Sequence, residues 1–323
     1  MRNLVAILLL TASLAGQGLK PIPADDATRI REFYRVASAI QDSLWPDWGK
    51  TPDPLLLVTS DTEYLTHFPQ VPKEFQKVGP DLYSRPRQFP PSLLATFPAF
   101  GPPSVIVIGE PANTLSKTST PWLFTVMHEH FHQLQNAQPG YFNQVEQLGL
   151  SHGDSSGMWM LNYPFPYDDA KLGQSFAHLR ELLLMTLAEN DPKKAAELER
   201  SYRQARKQFF AQLSSDDHKY LSFQLWQEGI ARYTQVKAAE AAEDLAPSPQ
   251  FAALPDFTSF RVYGAAARAQ TLDELKHVDL SRSRREVVYS FGAAEGFLLD
   301  RIRPGWKSEY FRYLLTTEPL FQQ

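Results

Sequence analysis

An apolar segment that contains histidines constrains the fold of this chain more than any other feature. Residues 122–127 are Trp-Leu-Phe-Thr-Val-Met, and His128, Glu129 and His132 follow directly. Apolar residues fall on every side of the helix that this segment predicts, so the helix is expected to be buried. Buried polar side chains need partners. The rest of the chain must therefore fold around this helix and supply those partners.

The spacing of the two histidines is that of two metal ligands on one helix. Positions four apart lie about 400° around an α-helix, so His128 and His132 project from the same face. Glu129 is about 100° further round, where it can contact a metal-bound water without binding the metal. His130, about 200° from His128, is expected to pack in the core or behind the ligands. The pattern predicts His128 and His132 as metal ligands and Glu129 as general base.

The residue types favour zinc. The chain has no cysteine, so His, Asp or Glu must hold any metal, and thiolate catalysis and disulfides are excluded. Zn²⁺ accepts imidazole and carboxylate in a tetrahedral shell, keeps one position for water, and lowers the pKa of that water to about 7. Glu129 would accept the proton of the water and pass it to the leaving amine. We therefore expect a zinc-dependent hydrolase that cleaves peptide bonds in a peptide or protein substrate.

A third ligand must come from elsewhere in the chain. The metzincin pattern is excluded, because Gln135 and Gln138 stand where that class has Gly and His. Glu228 lies in an otherwise apolar and aromatic helical segment, and Gly229 after it suggests the close approach of another backbone. Glu228 is the preferred candidate. The alternatives are Glu146, His152, Asp154 and Glu181.

Together these two motifs resemble those of the gluzincin metallopeptidases. In that family a His-Glu-x-x-His helix is completed by a Glu on a later helix, often in a Glu-Gly-x-Ala-x-Tyr setting, and residues 228–233 here are Glu-Gly-Ile-Ala-Arg-Tyr. The resemblance covers two short motifs and implies a zincin-like catalytic core with Glu228 as third zinc ligand. The interval from His132 to Glu228, 96 residues (228 − 132), is longer than in the best-known gluzincins. Arg232 stands where some of them carry an acid.

Other candidate residues surround this core. Oxyanion stabilisation needs a hydrogen-bond donor, for which Tyr289 is preferred and Tyr163 and Tyr233 are alternatives. The aromatic residues of 159–167 can form a substrate-binding wall or fill the core. A short basic cluster of three arginines is expected to form the solvated start of a helix. They are Arg282, Arg284 and Arg285.

The periodicity predicts an α+β, predominantly helical fold. Short apolar runs at 55–59 and 105–108 predict strands, and the proline-rich residues between 69 and 103 predict loops. Helical patterns follow, one of them opened by Pro121 with Thr120 as its cap. One helical pattern, at residues 26–44, precedes the strands. From 121 onwards the chain is mostly helical, with helices expected at 176–188, 192–213, 217–243 and 283–301, the last with a capping box at Ser283 and Glu286. We expect an N-terminal α/β part at residues 19–120 and a helical zinc-binding part at 121–323, both within one catalytic unit.

The first residues predict export. Residues 1–18 contain Arg2, an apolar run and small residues, the pattern of a signal peptide cleaved after Ala15 or Gly18. The run is shorter than the roughly 20 residues of a spanning helix, so no stable membrane insertion is expected after cleavage. A formal net charge of −4 gives no field that would hold nucleic acid. We expect a secreted or periplasmic protein, and the sequence leaves its oligomeric state open.

Two other functions are compatible with the sequence. One is a zinc-binding scaffold or binding protein of the cell envelope without peptidase activity. The other is a metal-free helical interaction module. The first leaves Glu129 without a role, because a structural zinc site has four protein ligands and no use for a base. The second makes two buried histidines on one helix face a coincidence.

Overall fold

The structure, a computed structural model, describes residues 20–322. The predicted signal peptide and both cleavage positions lie outside the described residues. The chain is α+β and predominantly helical, with the strands in its N-terminal part. The first described element is helix α1, Ala24–Leu44, which confirms the helix predicted over residues 26–44.

A six-stranded mixed sheet follows α1, with strand order β3-β4-β2-β1-β6-β5. Its interior strands β1 and β6 are parallel and wholly buried, and every other neighbouring pair is antiparallel. Strands β3 and β5 form the two edges. The strands are β1 Leu55–Val58, β2 Thr62–Thr66, β3 Gln76–Gly79, β4 Leu82–Pro86, β5 Leu94–Phe97 and β6 Val105–Gly109.

The strand predictions for 55–59 and 105–108 are confirmed, and much of 69–103 is loop as predicted, but its three short strands were missed. That segment contains β3, β4 and β5. Charged residues inside β2 and β4 hid the pairing. Glu63 and Arg85 are register partners, and Arg85 Nε donates to Glu63 Oε2 at 2.7 Å, so two charges that look solvated in the sequence neutralise each other in the interior.

Helices make up the rest of the chain. None of the helices within residues 20–322 is long and apolar enough to cross a membrane. They are α2 Ser119–Asn136, α3 Tyr141–Gln147, α4 Trp159–Asn162, α5 Ala170–Ala188, α6 Pro192–Phe210, α7 Ser215–Gln224, α8 Ile230–Ala241, α9 Pro249–Ala252, α10 Phe260–His277, α11 Leu280–Ser283, α12 Val287–Ile302, α13 Lys307–Tyr310 and α14 Glu318–Phe321.

Helix α2 lies between the sheet and the helical part. It contacts β5 and β6 on one side and α1, α8 and α10 on others, and nearly all of its side chains are buried, as its apolar pattern predicts. Pro121 lies in the first turn of the helix, as predicted, but Thr120 is not its cap. The helix begins at Ser119, two residues before Pro121, and the Asp256 carboxylate accepts from both Ser119 N and Ser119 Oγ. A distant acid therefore caps the helix in place of Thr120.

The long helix predicted for 217–243 contains one turn of wider helix. Helix α7 passes through a π-helical turn, Leu225–Gly229, into α8. A Cβ on Gly229 would lie 2.7 Å from Gly292 Cα, so the π turn and α12 meet backbone to backbone, as Gly229 suggested. The capping box at Ser283 is not formed. Asp279 caps α11, a 3-10 turn Arg284–Glu286 follows, and α12 begins at Val287.

Candidate metal site

His128 and His132 of α2 face each other across one helical turn. His128 Nε2 and His132 Nε2 lie 3.1 Å apart, and the two side chains are almost fully buried. The donor atoms of His128, Glu129 and His132 all lie within 4.8 Å of one another, so this cluster can hold a metal ion. The predicted placement of both imidazoles on one face is confirmed.

Glu228 reaches the same point from the π turn. Its Oε2 lies 3.4 Å from His128 Nε2 and 3.4 Å from His132 Nε2. Four donors around a tetrahedral zinc with bonds of about 2.0–2.1 Å lie about 3.3 Å from one another. The triangle of two nitrogens and one oxygen therefore has the dimensions of three of those four positions. A π turn is a common device at functional sites, and here it places a carboxylate at that triangle.

The charges of this group favour a cation. Burial raises the pKa of Glu228, but the His132 charge, hydrogen bonds from both histidines and the Arg285 charge together hold it well below its usual value. Burial lowers the pKa of His132, but the Glu228 carboxylate outweighs it and raises the pKa to about 9. The same carboxylate charge that favours a proton on His132 also favours a divalent cation between the three side chains.

Gln135 connects the two elements that carry the triangle. Its Oε1 lies 2.7 Å from His132 Nδ1, and its Nε2 lies 3.1 Å from the carbonyl oxygens of both Trp226 and Gln227. Because the amide nitrogen donates, Oε1 accepts, so Nδ1 of His132 is protonated and Nε2 is the nitrogen that faces the site. Gln135 thereby orients a histidine and holds the turn that carries Glu228. The sequence alone gives Gln135 no role beyond excluding the metzincin pattern.

Thr96 on the edge strand β5 orients Glu129. Its hydroxyl lies 2.7 Å from Glu129 Oε2 and donates to it. Glu129 is 6% exposed, and one of its carboxylate oxygens lies within 4.8 Å of a ring nitrogen of each histidine. This is the position that the helical geometry predicts for a general base. Thr96 was missed because it lies in the segment expected to be loop.

The role of Arg285 is the third, after those of Gln135 and Thr96, that sequence reasoning missed. Its Nη2 donates to Glu228 Oε1 at 2.8 Å, its Nη1 to the Tyr289 hydroxyl at 3.0 Å, and its Nε to Gln224 Oε1 at 2.9 Å. The prediction of a solvated basic cluster holds for Arg282 and Arg284, which are mostly exposed, and is wrong for Arg285, whose side chain is 13% exposed. The Glu228 charge offsets the burial of this guanidinium and raises its pKa.

Tyr289 lies beside the histidines. Its ring centroid is 6.2 Å from that of His128, and burial raises the pKa of its hydroxyl, so the group stays protonated. The alternative tyrosines are committed elsewhere, since the Tyr163 hydroxyl donates to Asp217 and the Tyr233 hydroxyl to Asp300. Of the three candidates, Tyr289 is the one that the structure places next to the histidine pair.

Comparisons of the chain with protein-family models, with curated proteins and with solved structures find no match.

The other candidate ligands do not join the site. Glu146, His152 and Glu181 are exposed, and Asp154 accepts from Ser156 and from Trp159 N within its own turn. His130 is buried, stacks on Trp48 at 5.0 Å, and lies with its two ring nitrogens 2.9 Å from the Oε1 atoms of Gln133 and Gln41. It packs in the core, as its angle on the helix predicts.

The aromatic residues of 159–167 lie behind Arg285. Tyr163 stacks on Tyr220 at 4.3 Å, and the side chains of Phe165 and Tyr167 are buried. Tyr220 and Gln224 both donate to the carbonyl oxygen of Met160, which ties this segment to the residue that accepts from Arg285 Nε. Two of the four aromatic side chains therefore fill the core, and Trp159 and Tyr163 are partly buried against it.

Proposed function

We propose that the protein is an exported zinc-dependent metallopeptidase with a zincin-like core, in which His128, His132 and Glu228 bind Zn²⁺ and Glu129 is the general base. The observation that carries the proposal is the triangle of two imidazole nitrogens and one carboxylate oxygen, 3.1–3.4 Å on each side. Three ligands leave the fourth tetrahedral position for water, which is the arrangement of catalytic zinc sites.

Each residue of the site has a chemical task in hydrolysis. Zinc, when bound, makes a water acidic and polarises the scissile carbonyl. Glu129 takes the proton of the attacking water through the carboxylate oxygen that Thr96 does not hold, and delivers it to the leaving nitrogen. Tyr289 donates a hydrogen bond from its hydroxyl to the oxygen on which negative charge develops. A purely structural metal site has no use for a buried acid held beside it in this way.

The free edge of the sheet supports a peptide substrate. Within residues 20–322, β5 pairs with β6 on one side and with no strand on the other. Unpaired backbone groups on an edge strand can bind an extended peptide by adding a strand. Thr96 of this strand contacts Glu129, so a peptide bound along β5 would pass next to the base. Export, predicted from residues 1–18, is part of the proposal.

The test combines zinc content with peptide cleavage. We expect purified mature protein to contain about one zinc per chain and to cleave members of a mixed peptide library. Glu228→Ala should lose the zinc and the activity. Glu129→Gln should keep the zinc and lose about 10²–10⁴-fold in rate, because only the proton transfer is removed. The control is Glu146→Ala, which removes an exposed acid. A wild-type protein without zinc would contradict the proposal, as would Glu228→Ala with wild-type zinc content.

A further inference from the structure

One guanidinium contacts both the third ligand and the oxyanion donor of the proposed site. Arg285 lies on the 3-10 turn before α12, and its neighbour Arg284 has φ 49°, in the left-handed region. This bend points the two arginines to different environments. Arg284 pairs with the exposed Asp168 at 3.3 Å, whereas Arg285 is buried and donates to three acceptors from two other helical segments and its own helix.

The two oxygens of Glu228 have different partners because of Arg285. Oε1 accepts from Arg285 Nη2 at 2.8 Å, and Oε2 faces the two histidines at 3.4 Å. A carboxylate held in this way binds a metal through one oxygen and cannot rotate both oxygens towards it. The charge of Arg285 also pairs with a carboxylate that would otherwise be an uncompensated buried anion.

The hydroxyl of Tyr289 is oriented by the same side chain. It accepts from Arg285 Nη1 at 3.0 Å, and a phenol has a single proton to donate. No side chain or carbonyl among residues 20–322 accepts that proton. With one lone pair turned to Arg285, the O–H bond points away from the guanidinium and stays available to an acceptor in the site.

We propose that Arg285 is a positioning residue of this site, which holds Glu228 to single-oxygen metal binding and aims the Tyr289 hydroxyl at the substrate oxygen. The inference rests on the proposed metallopeptidase function and adds a residue that touches neither metal nor substrate. Lysine cannot replace it, because one ammonium lacks the planar fork that reaches both acceptors.

The test is a double-mutant cycle together with zinc affinity. Arg285→Met should raise the zinc Kd, measured by chelator competition, by about 10–100-fold and lower kcat by a similar factor. Tyr289→Phe should lower kcat in the wild-type background and change it little when combined with Arg285→Met, because the hydroxyl is then no longer aimed. Arg285→Lys should also have a raised zinc Kd and a lowered kcat. Arg282→Met removes an equal charge from an exposed side chain and should match the wild type.

The outcomes separate the two proposals. A wild-type protein that binds no zinc overturns both. The wild type can bind zinc and cleave peptides while Arg285→Met keeps the wild-type zinc Kd and the effects of Arg285→Met and Tyr289→Phe on kcat multiply. That result overturns only the role of Arg285. If thermal unfolding shows that Arg285→Met does not fold, Arg285→Lys decides the matter. Its charge is retained, so wild-type zinc Kd and kcat in that variant would contradict the positioning role.

Discussion

Each polar side chain on the buried face of α2 has a specific partner, and the partner distinguishes packing from chemistry. Gln133 donates to the carbonyl oxygens of Pro54 and Ser104, which ties α2 to the sheet. His132 instead directs one nitrogen to Gln135 and the other towards His128 and Glu228. A side chain that directs a nitrogen or oxygen to the same point as other such atoms is a candidate metal ligand. A side chain that donates its hydrogen bonds to carbonyl oxygens is structural.

Gln135 provides a residue-scale prediction. Gln135→Leu should raise the zinc Kd about 10–100-fold, because partners behind the ligands fix the tautomer and the direction of the ligating histidine. The variant also loses the bonds to the turn that carries Glu228. Chelator competition measures the change.

Gln133→Leu is the matched control for that measurement. It removes an equally buried glutamine from the same helix but one that contacts no donor atom of the triangle. It should lower the free energy of unfolding and leave the zinc Kd unchanged. Equal zinc affinities in the two variants would mean that Gln135 has only a packing role.

At the scale of elements, the position of Glu228 depends on two helical segments that pack without side chains between them. The π turn and α12 approach at Gly229 and Gly292, and an added Cβ on either would lie under 3.0 Å from the backbone of the other. Backbone atoms cannot move aside as a flexible side chain can, so this contact fixes the distance from α12, with Arg285 and Tyr289 near its start, to the turn that carries Glu228.

Gly229→Ala tests this contact. The new methyl group must push the π turn away from α12, which should destabilise the fold by about 1–3 kcal/mol and lower zinc affinity with it. Denaturant unfolding and chelator competition measure the two effects. Gly173→Ala near the start of α5 is the control, since nothing lies within 4 Å of its added Cβ. It should stabilise the protein by about 0.5–1 kcal/mol, and a similar loss of stability in both variants would refute the argument from close approach.

Local periodicity predicted the helices and strands that are buried through their own apolar residues. It missed those in which a charged residue is buried against an oppositely charged residue elsewhere in the chain. Helix α1 and strands β1 and β6 follow from apolar patterns alone. Strand β4 was missed because Arg85 is buried through its ion pair with its register partner Glu63 on β2, which no local pattern reveals. The residues of the candidate site differ in the same way in how far the sequence predicts them. The histidine pair follows from helical geometry, whereas the burial of Arg285 depends on Glu228, 57 residues away.

At the scale of the whole molecule, one buried apolar cluster spans both parts of the chain. It contains side chains from α1, from the inner strands, from α2 and from the helices as far as Phe321. A second, smaller cluster lies on the other face of the sheet. The two parts predicted at 19–120 and 121–323 therefore share a core, in which α2 lies between the sheet and the later helices.

Zinc binding should therefore stabilise the whole fold, because its ligands come from α2 and from the turn before α8, which are about 100 residues apart in the unfolded chain. A ligand that binds only the native state adds about 2.7 kcal/mol at a free concentration 100 times its Kd. Chelation should lower the unfolding temperature, and added zinc should restore it. Glu228→Ala should unfold at the same temperature with and without zinc, whereas Glu146→Ala should respond as the wild type does. If zinc bound to the wild type without changing its unfolding temperature, the ion would bind the unfolded chain equally well and could not join these two elements.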